Sequence, residues 1–155
     1  MPDSARGPYR VLFLCTGNSA RSQMAEALLN RKGQGRFHAE SAGSRPAARV
    51  NPYAIRALAD IGISWDGHAP RGIDGLDHEH WDFIITVCDN AKEACPVFPG
   101  QPTFAHWGMD DPAEVEGSDE EKRRAFDAAR NLLARRIDLL LAVPVDRLAS
   151  VGARA

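Results

Sequence analysis

Short apolar runs rich in β-branched and aromatic residues alternate along this chain with segments of helical periodicity. The runs typical of strands occupy residues 9–14, 37–42, 82–87 and, as the weakest of the set, 103–107. The segments typical of helices occupy residues 22–33, 51–61 and 119–143. Strands that alternate with helices form parallel βαβ units. The sequence therefore predicts a three-layer αβα sandwich around a small parallel sheet of about four strands.

The length and the composition fit one globular domain. A chain of 155 residues can bury a core without disulfides or metals. We predict a single domain at residues 9–143, between a disordered polar extension at 1–8 and a tail at 144–155. The net charge of −2 argues against nucleic-acid binding. The apolar run that precedes Cys15 is too short for a signal peptide or a membrane span, so we expect a cytoplasmic location, where structural disulfides are rare.

The residues with the most reactive side chains follow predicted strands. Cys15 comes just after the first strand, Cys88 just after the third, and the Asp110–Asp111 pair after the fourth. In open parallel sheets, ligands bind beyond the carboxyl ends of the strands. We therefore expect these side chains to lie at one edge of the sheet.

The loop at residues 15–22 reads Cys-Thr-Gly-Asn-Ser-Ala-Arg-Ser and joins the first strand to the first helix. Gly17 and Asn18 tolerate left-handed backbone, so successive N–H groups can turn inward as an anion-binding nest. The residues expected to bind the oxyanion are Thr16, Gly17, Asn18, Ser19, Ala20 and Arg21. The helix N-terminus adds positive potential, and Arg21 offers a planar fork for two oxygens.

This loop predicts a catalytic cysteine. The positive field is expected to lower the pKa of Cys15, whose thiolate is the attacking form, and the Ser22 hydroxyl could donate to that sulfur. A buried cysteine beside an incidental surface arginine is the alternative. The position between strand and helix, the Gly-Asn pair and the trailing Ser22 favour catalysis, namely attack of Cys15 on a bound tetrahedral oxyanion.

Attack by a thiolate requires a proton donor for the departing oxygen. Asp111 is the candidate, because Pro112 restrains its backbone towards an extended conformation and so fixes the direction of its carboxylate. Asp110 competes for the role, and a solvated Asp-Pro turn is the alternative without function.

Cys88 and Cys95 flank a polar segment compatible with a helix. Their spacing does not suit zinc, and no second ligand pair completes a tetrahedral site, so we predict neither a metal nor a cofactor. In a helix their Cα atoms would be about 10.5 Å apart, whereas a disulfide needs less than roughly 7 Å. Formation of a disulfide would therefore require the segment to unwind, as in a redox switch.

Taken together, these residues resemble the thioredoxin-coupled arsenate reductases of the low-molecular-weight tyrosine phosphatase superfamily. The resemblance runs from Val11 to the end of the long helix and rests on residues 15–26, Ser41-Ala42-Gly43, Val50-Asn51-Pro52, the Cys88/Cys95 spacing, and His106-Trp107-Gly108 leading into Asp111-Pro112-Ala113. The loop alone is shared with the phosphatases, whereas its combination with the two further cysteines is more specific.

The resemblance implies a phosphatase-like fold and a reaction that uses three thiols for arsenic detoxification. Cys15 would attack arsenate held by the loop and Arg21, while Asp111 protonates the leaving oxygen. Cys88 would then attack the Cys15 sulfur and release arsenite, and Cys95 would attack Cys88 to give an intramolecular disulfide. Thioredoxin or a similar dithiol would reduce the enzyme again. Phosphate and sulfate would act as mimics of arsenate.

The resemblance also matches Asn18, Glu26 and Ser41 to a potassium site found in some members. The stretch from Trp65 to Arg71 diverges and lacks the remaining carboxylate of that site. These three residues are therefore only candidates for potassium.

Two other functions remain open. A phosphatase could use the same loop for phosphoesters, although phosphatases of this family place aromatic residues after the Asp-Pro, where this chain has Ala113 and Glu114. A phosphatase also has no need of Cys88 and Cys95. A non-enzymatic binder could trap As(III) with the three thiols, but it would not need Asp111.

Overall fold

The computed structural model describes residues 7–88, 98, 100 and 102–144. Four strands form one sheet: β1 (Tyr9–Cys15), β2 (Phe37–Gly43), β3 (Phe83–Thr86) and β4 (Thr103–His106). Three helices accompany them: α1 (Arg21–Lys32), α2 (Pro52–Ala59) and α3 (Asp119–Ala142). Short 3₁₀ turns occupy Leu76–His78 and Pro112–Glu114.

The sheet has the order β2-β1-β3-β4, and every neighbouring pair is parallel. The α/β fold with a four-stranded parallel sheet that the alternating pattern predicts is therefore confirmed. All four strands carry their carboxyl ends to the same edge. The loops after β1, β3 and β4 meet there, which brings together segments far apart in the chain.

The observed ends of the elements differ from the predicted ones by a few residues, for local reasons. β1 continues to Cys15 because that residue still pairs with Gly43 of β2. The first helix begins at Arg21, since the Met24 N–H already bonds to the Ala20 carbonyl at 2.9 Å. The second helix ends at Ala59, and the turn that follows it reaches Gly62 with a φ of +83°.

Side-chain caps fix the starts of α2 and α3. The Asn51 side chain accepts the Tyr53 N–H at 2.9 Å, and Pro52 occupies the first turn of α2. Ser118 and Glu121 form a capping box at the start of α3. Both helix starts were expected from the sequence.

The core lies between the sheet and the helices. Fully buried side chains include Phe13 and Leu14 of β1, Met24 of α1, and Leu133 and Ile137 of α3. At the start of β1, the Arg10 guanidinium lies 4.2 Å from the centre of the Trp81 ring. Because Phe13 and Leu14 are neighbours in a strand and point to opposite faces, the sheet is covered on both faces.

Candidate active site

Cys15 lies at the carboxyl end of β1 and is only 3% exposed. Its sulfur is 2.8 Å from the Ser22 hydroxyl and accepts the Asn18 backbone N–H at 3.1 Å. The first turn of α1 supplies Ser22, and the loop supplies Asn18. The predicted contact between Ser22 and the sulfur is therefore present.

Asn18 determines which way the Ser22 hydroxyl points. Its Oδ1 accepts the Arg71 backbone N–H at 2.9 Å and the Gln23 side-chain amide at 3.1 Å. Its Nδ2 therefore faces the other way and donates to Ser22 Oγ at 2.8 Å and to Ser41 Oγ at 2.9 Å. Because Ser22 Oγ already accepts one bond, its own hydrogen is free to point at the Cys15 sulfur.

The backbone of the loop also fits an anion nest. Asn18 has a φ of +51°, the left-handed conformation that the sequence predicts for it. Gly17, for which the same conformation was expected, does not have a positive φ. Helix α1 begins after Ala20 without a side-chain cap, which leaves its first N–H groups available to an oxyanion. Gly43 of β2 packs closely behind the loop, since a Cβ there would lie 2.4 Å from the Thr16 carbonyl oxygen.

The expectation that the loop lowers the pKa of Cys15 is wrong for this arrangement. Burial raises the pKa of the Cys15 thiol, and this effect outweighs the hydrogen bonds from Ser22 and Asn18 and the charge of Arg21, which all lower it. The thiol is thus more acidic than burial alone would make it, yet less acidic than an ordinary cysteine.

Arg21 links the loop to the predicted acid. Its side chain is 11% exposed, donates to the Met109 carbonyl at 3.0 Å and lies 3.5 Å from the Asp111 carboxylate. Asp111 is half-buried and also accepts the Ala113 N–H at 2.9 Å, whereas Asp110 is exposed. Of the two neighbouring carboxyl groups, Asp111 is therefore the one near the loop.

Cys88 lies two residues beyond β3 and is buried. Its sulfur is 3.3 Å from the hydroxyl of Thr16, the residue that follows Cys15. The structure thus brings the predicted second thiol to the loop across 72 positions of the chain. Cys95 lies outside the described residues, and its predicted role stays a prediction.

Three further residues that support the loop, Gln23, Trp65 and Arg71, were not predicted. Gln23 donates to Asn18 and to the Ala69 carbonyl, and it accepts the indole N–H of Trp65 at 2.8 Å. Arg71 holds Asn18 through its backbone. Helix periodicity places Gln23 in α1, but the sequence contains no signal for contacts that reach 46 and 53 positions along the chain.

The potassium candidates Asn18, Glu26 and Ser41 do lie together, and several of their oxygen atoms already accept hydrogen bonds. Asn18 Oδ1 accepts two N–H groups, and Glu26 Oε1 accepts the Ser41 hydroxyl at 2.6 Å. The Ser41 carbonyl accepts Nε of Arg71 at 3.0 Å. A cation bound by these oxygen atoms would have to compete with those hydrogen bonds, two of which come from Arg71. Across the part of the chain that the structure describes, no cluster of His, Cys, Asp or Glu side chains could hold a metal ion.

A family model described as low molecular weight phosphotyrosine protein phosphatase matches residues 10–149 of the chain. An arsenate reductase from Halalkalibacterium halodurans is 40% identical over 127 residues, which cover 82% of this chain and 91% of the relative.

Two solved structures are also similar. One is an arsenate reductase in its phosphate-binding state, 26% identical, with a TM-score of 0.70 over 90% of this chain and 98% of the other. The other is a thioredoxin-dependent arsenate reductase from Corynebacterium glutamicum, 27% identical, with a TM-score of 0.59 over 88% of this chain and 65% of the other. Within the described residues, no helix is both long and apolar enough to cross a bilayer.

Proposed function

Because the chain belongs to the low molecular weight phosphotyrosine protein phosphatase family, we propose that it uses the family's oxyanion loop to reduce arsenate to arsenite. The observation that carries the proposal is the position of Cys88. A buried second thiol beside the nucleophile's loop, 3.3 Å from Thr16, has no task in ester hydrolysis but is required for transfer of electrons between thiols. The 40% identity to an arsenate reductase supports the same function.

The first step is attack of the Cys15 thiolate on arsenic. The oxyanion occupies the nest of N–H groups at residues 16–21 and the fork of Arg21, and its negative charge replaces the Asp111 carboxylate as the partner of Arg21. Asp111 then donates a proton to the oxygen that leaves arsenic as water. The product is a Cys15–arsenic adduct in which arsenic is still As(V).

The second step reduces arsenic. The Cys88 thiolate attacks the Cys15 sulfur, the sulfur–arsenic bond breaks, and its electron pair stays on arsenic, which leaves as arsenite, As(III). Two thiols have then become the Cys15–Cys88 disulfide, which balances the two electrons gained by arsenic. The Thr16 hydroxyl donates to the Cys88 sulfur in this step and stabilises its thiolate.

The third step regenerates the nucleophile. Cys95 attacks Cys88, which forms a Cys88–Cys95 disulfide and releases the Cys15 thiolate. A dithiol reductant of the thioredoxin type then reduces this disulfide, as the similar Corynebacterium glutamicum enzyme is described as thioredoxin-dependent. The sequential thiol attack needs no bound cofactor.

The test is a single turnover with arsenate and no reductant, followed by mapping of the disulfides. We expect one arsenite per chain and a Cys88–Cys95 disulfide. A Cys95→Ser variant should still release arsenite but stop at Cys15–Cys88, and a Cys88→Ser variant should release none.

Phosphoester hydrolysis is the competing activity, and the family description and the shared loop favour it. Phosphate and arsenate are nearly isosteric, so the loop binds both. Turnover of a phosphoester in the same preparation, with no arsenite formed from arsenate, would refute the reductase proposal and establish a phosphatase.

A further inference from the structure

The segment from Trp65 to Arg71 lies directly behind the oxyanion loop. Arg71 donates three hydrogen bonds there: its N–H donates to Asn18 Oδ1 at 2.9 Å, its Nε donates to the Ser41 carbonyl at 3.0 Å, and its Nη2 donates to Glu40. Its carbonyl accepts the Gly43 N–H at 2.9 Å. Arg71 thus fastens this segment to the end of β2 and, through Asn18, to the loop.

A partly buried carboxyl group lies in the same place. Glu26 of α1 accepts the Ser41 hydroxyl at 2.6 Å. Burial raises the pKa of Glu26, while the Ser41 hydroxyl and the charge of Arg71 lower it. A cavity of about 190 Å³ is lined by Gln23, Glu26, Glu40, Ser41, His68, Ala69 and Arg71. Arg71 is the one arginine or lysine in this cavity's lining, and its charge acts on Glu26.

Ser41 joins Glu26 to the hydrogen bonds around the nucleophile. Its hydroxyl donates to Glu26 Oε1 at 2.6 Å, and its oxygen accepts from Asn18 Nδ2 at 2.9 Å. An ionised Glu26 can only accept this hydrogen, so a positive charge that keeps Glu26 ionised favours the bond directions that the structure shows.

We propose that Arg71 is a positioning residue for the Cys15 thiolate, and that its guanidinium supplies the positive charge that a bound potassium ion would otherwise bring to Glu26, Ser41 and Asn18. The guanidinium acts at a distance, because Ser41, Asn18 and Ser22 lie between it and the Cys15 sulfur. The inference rests on the proposed function only in that Cys15 is the nucleophile.

The test compares Arg71→Gln and Arg71→Lys with wild type. The first readout is the rate at which iodoacetamide alkylates Cys15, followed against pH by peptide mapping, since this rate reports the thiolate without any arsenate. We expect Arg71→Gln to slow alkylation at neutral pH by about tenfold, which corresponds to one unit in the pKa of Cys15. Arg71→Lys should recover part of this rate, because an ammonium keeps the charge but loses the fork.

The second readout is the response to potassium. Replacing choline chloride with potassium chloride at equal ionic strength should change neither the alkylation rate nor the melting temperature of the wild type. The same replacement should raise both in Arg71→Gln, where Glu26 lacks its counter-charge. Arg124→Gln is the matched control, because Arg124 is exposed and pairs only with Glu120 among the described residues.

Two results would overturn the proposal. One is an alkylation profile of Arg71→Gln that coincides with those of wild type and Arg124→Gln, and the other is a wild-type rate that potassium increases several-fold. If Arg71→Gln does not fold, the double variant Glu26→Gln/Arg71→Gln removes both charges, and we expect it to be more stable than Arg71→Gln alone. A protein with the expected alkylation shifts but no arsenite production would refute the reductase and leave the role of Arg71 intact.

Discussion

Asn18 is the residue on which the geometry of the loop depends. It is the one non-glycine residue with a positive φ in the described ranges, and its side-chain amide joins Ser22, Ser41, Gln23 and the Arg71 backbone. Left-handed backbone is tolerated best by glycine and asparagine. Only asparagine adds an amide that both accepts and donates, so the same residue shapes the nest and orients the donor to the nucleophile.

At the scale of single residues, Asp111→Asn should lower the single-turnover rate of arsenite formation by about 100-fold or more, since an amide cannot donate the proton for the leaving oxygen. Binding of phosphate to the loop should be retained or strengthened, because the carboxylate next to Arg21 loses its charge. Asp110→Asn is the matched control and should stay within twofold of wild type. If the rate of arsenite formation fell equally in the two variants, Asp111 would not be the specific proton donor.

Thr16→Val tests the hydroxyl that contacts Cys88. Valine keeps the shape of threonine but cannot donate to a thiolate, so we expect the reduction step to slow by about tenfold. Formation of the Cys15 adduct should be unaffected. Rapid quenching, followed by quantification of the Cys15–arsenic adduct and of the Cys15–Cys88 disulfide in Cys95→Ser, distinguishes the two steps. An unchanged rate of disulfide formation would show that Thr16 has no part in it.

Glu40 makes the stability depend on pH. Burial raises its pKa, but hydrogen bonds from Arg71 and Arg10 outweigh this and hold the pKa of Glu40 below its usual value. A lowered pKa stabilises the folded state above the ordinary pKa of glutamate, and this stabilisation is lost as the pH falls through the lower, folded value. Glu40→Gln should therefore lower the free energy of unfolding by about 1 kcal/mol at neutral pH.

The same difference should disappear in acid, where both proteins carry a neutral side chain. Urea unfolding at several pH values measures it, with Glu116→Gln as the control, because Glu116 is exposed. A difference that persists unchanged at low pH would mean that the loss arises from packing rather than from charge.

Residues of the site could be predicted from the sequence where they belong to one short motif. Cys15, Arg21 and Ser22 lie within eight consecutive positions, and their contacts follow from the turn between a strand and a helix. Gln23 and Arg71 could not be predicted, because their roles depend on how a distant segment folds back. The raised pKa of Cys15 was missed for a similar reason, since the degree of burial is a property of the folded chain.

At the scale of elements, the end of β2 supports the loop. The strand pairs with β1 as far as Gly43, which approaches the backbone of Thr16 and Asn18 too closely for a side chain. The Ser41-Ala42-Gly43 motif indicates this position in the sequence, but the reason for the glycine is visible only in the structure. Periodicity in the sequence predicts which segments form helices and which form strands. The residues at which these elements end depend on strand pairing and on helix caps.

Gly43→Ala should therefore destabilise the protein by about 1–3 kcal/mol and weaken phosphate binding, because the loop must move to admit a methyl group. Gly72→Ala is the matched control. Gly72 forms a bridge with Gly43, but a Cβ on it would meet only Pro46 at an ordinary 3.8 Å. Thermal unfolding and phosphate titration measure both effects. A Gly43→Ala protein as stable as Gly72→Ala would contradict the close approach.

At the scale of the whole molecule, the parallel sheet explains why a site can be assembled from distant segments. The order β2-β1-β3-β4 puts β1 beside both β2 and β3, so the loop after β1 lies between Gly43 and Cys88. The sequence predicts that these residues share an edge, because all parallel strands end on the same side. It does not predict which strands are neighbours, since the βαβ pattern is compatible with several orders.

The predicted domain of residues 9–143 should fold without the predicted tail. Its buried hydrophobic side chains, as far as the structure describes them, run from Tyr9 to Ile137. A chain that stops after Pro144 should keep its melting temperature within about 2 °C and its single-turnover rate within twofold. Calorimetry and arsenite quantification measure both. A large loss of stability would place part of the core beyond this boundary.

The burial of Cys15 also bears on how long the resting enzyme survives. Peroxides attack thiolates that are exposed, and Cys15 is 3% exposed with a raised pKa. A nucleophile covered in this way is a slow target for such oxidants. Its reducing equivalents are thereby kept for arsenate through periods of oxidative stress.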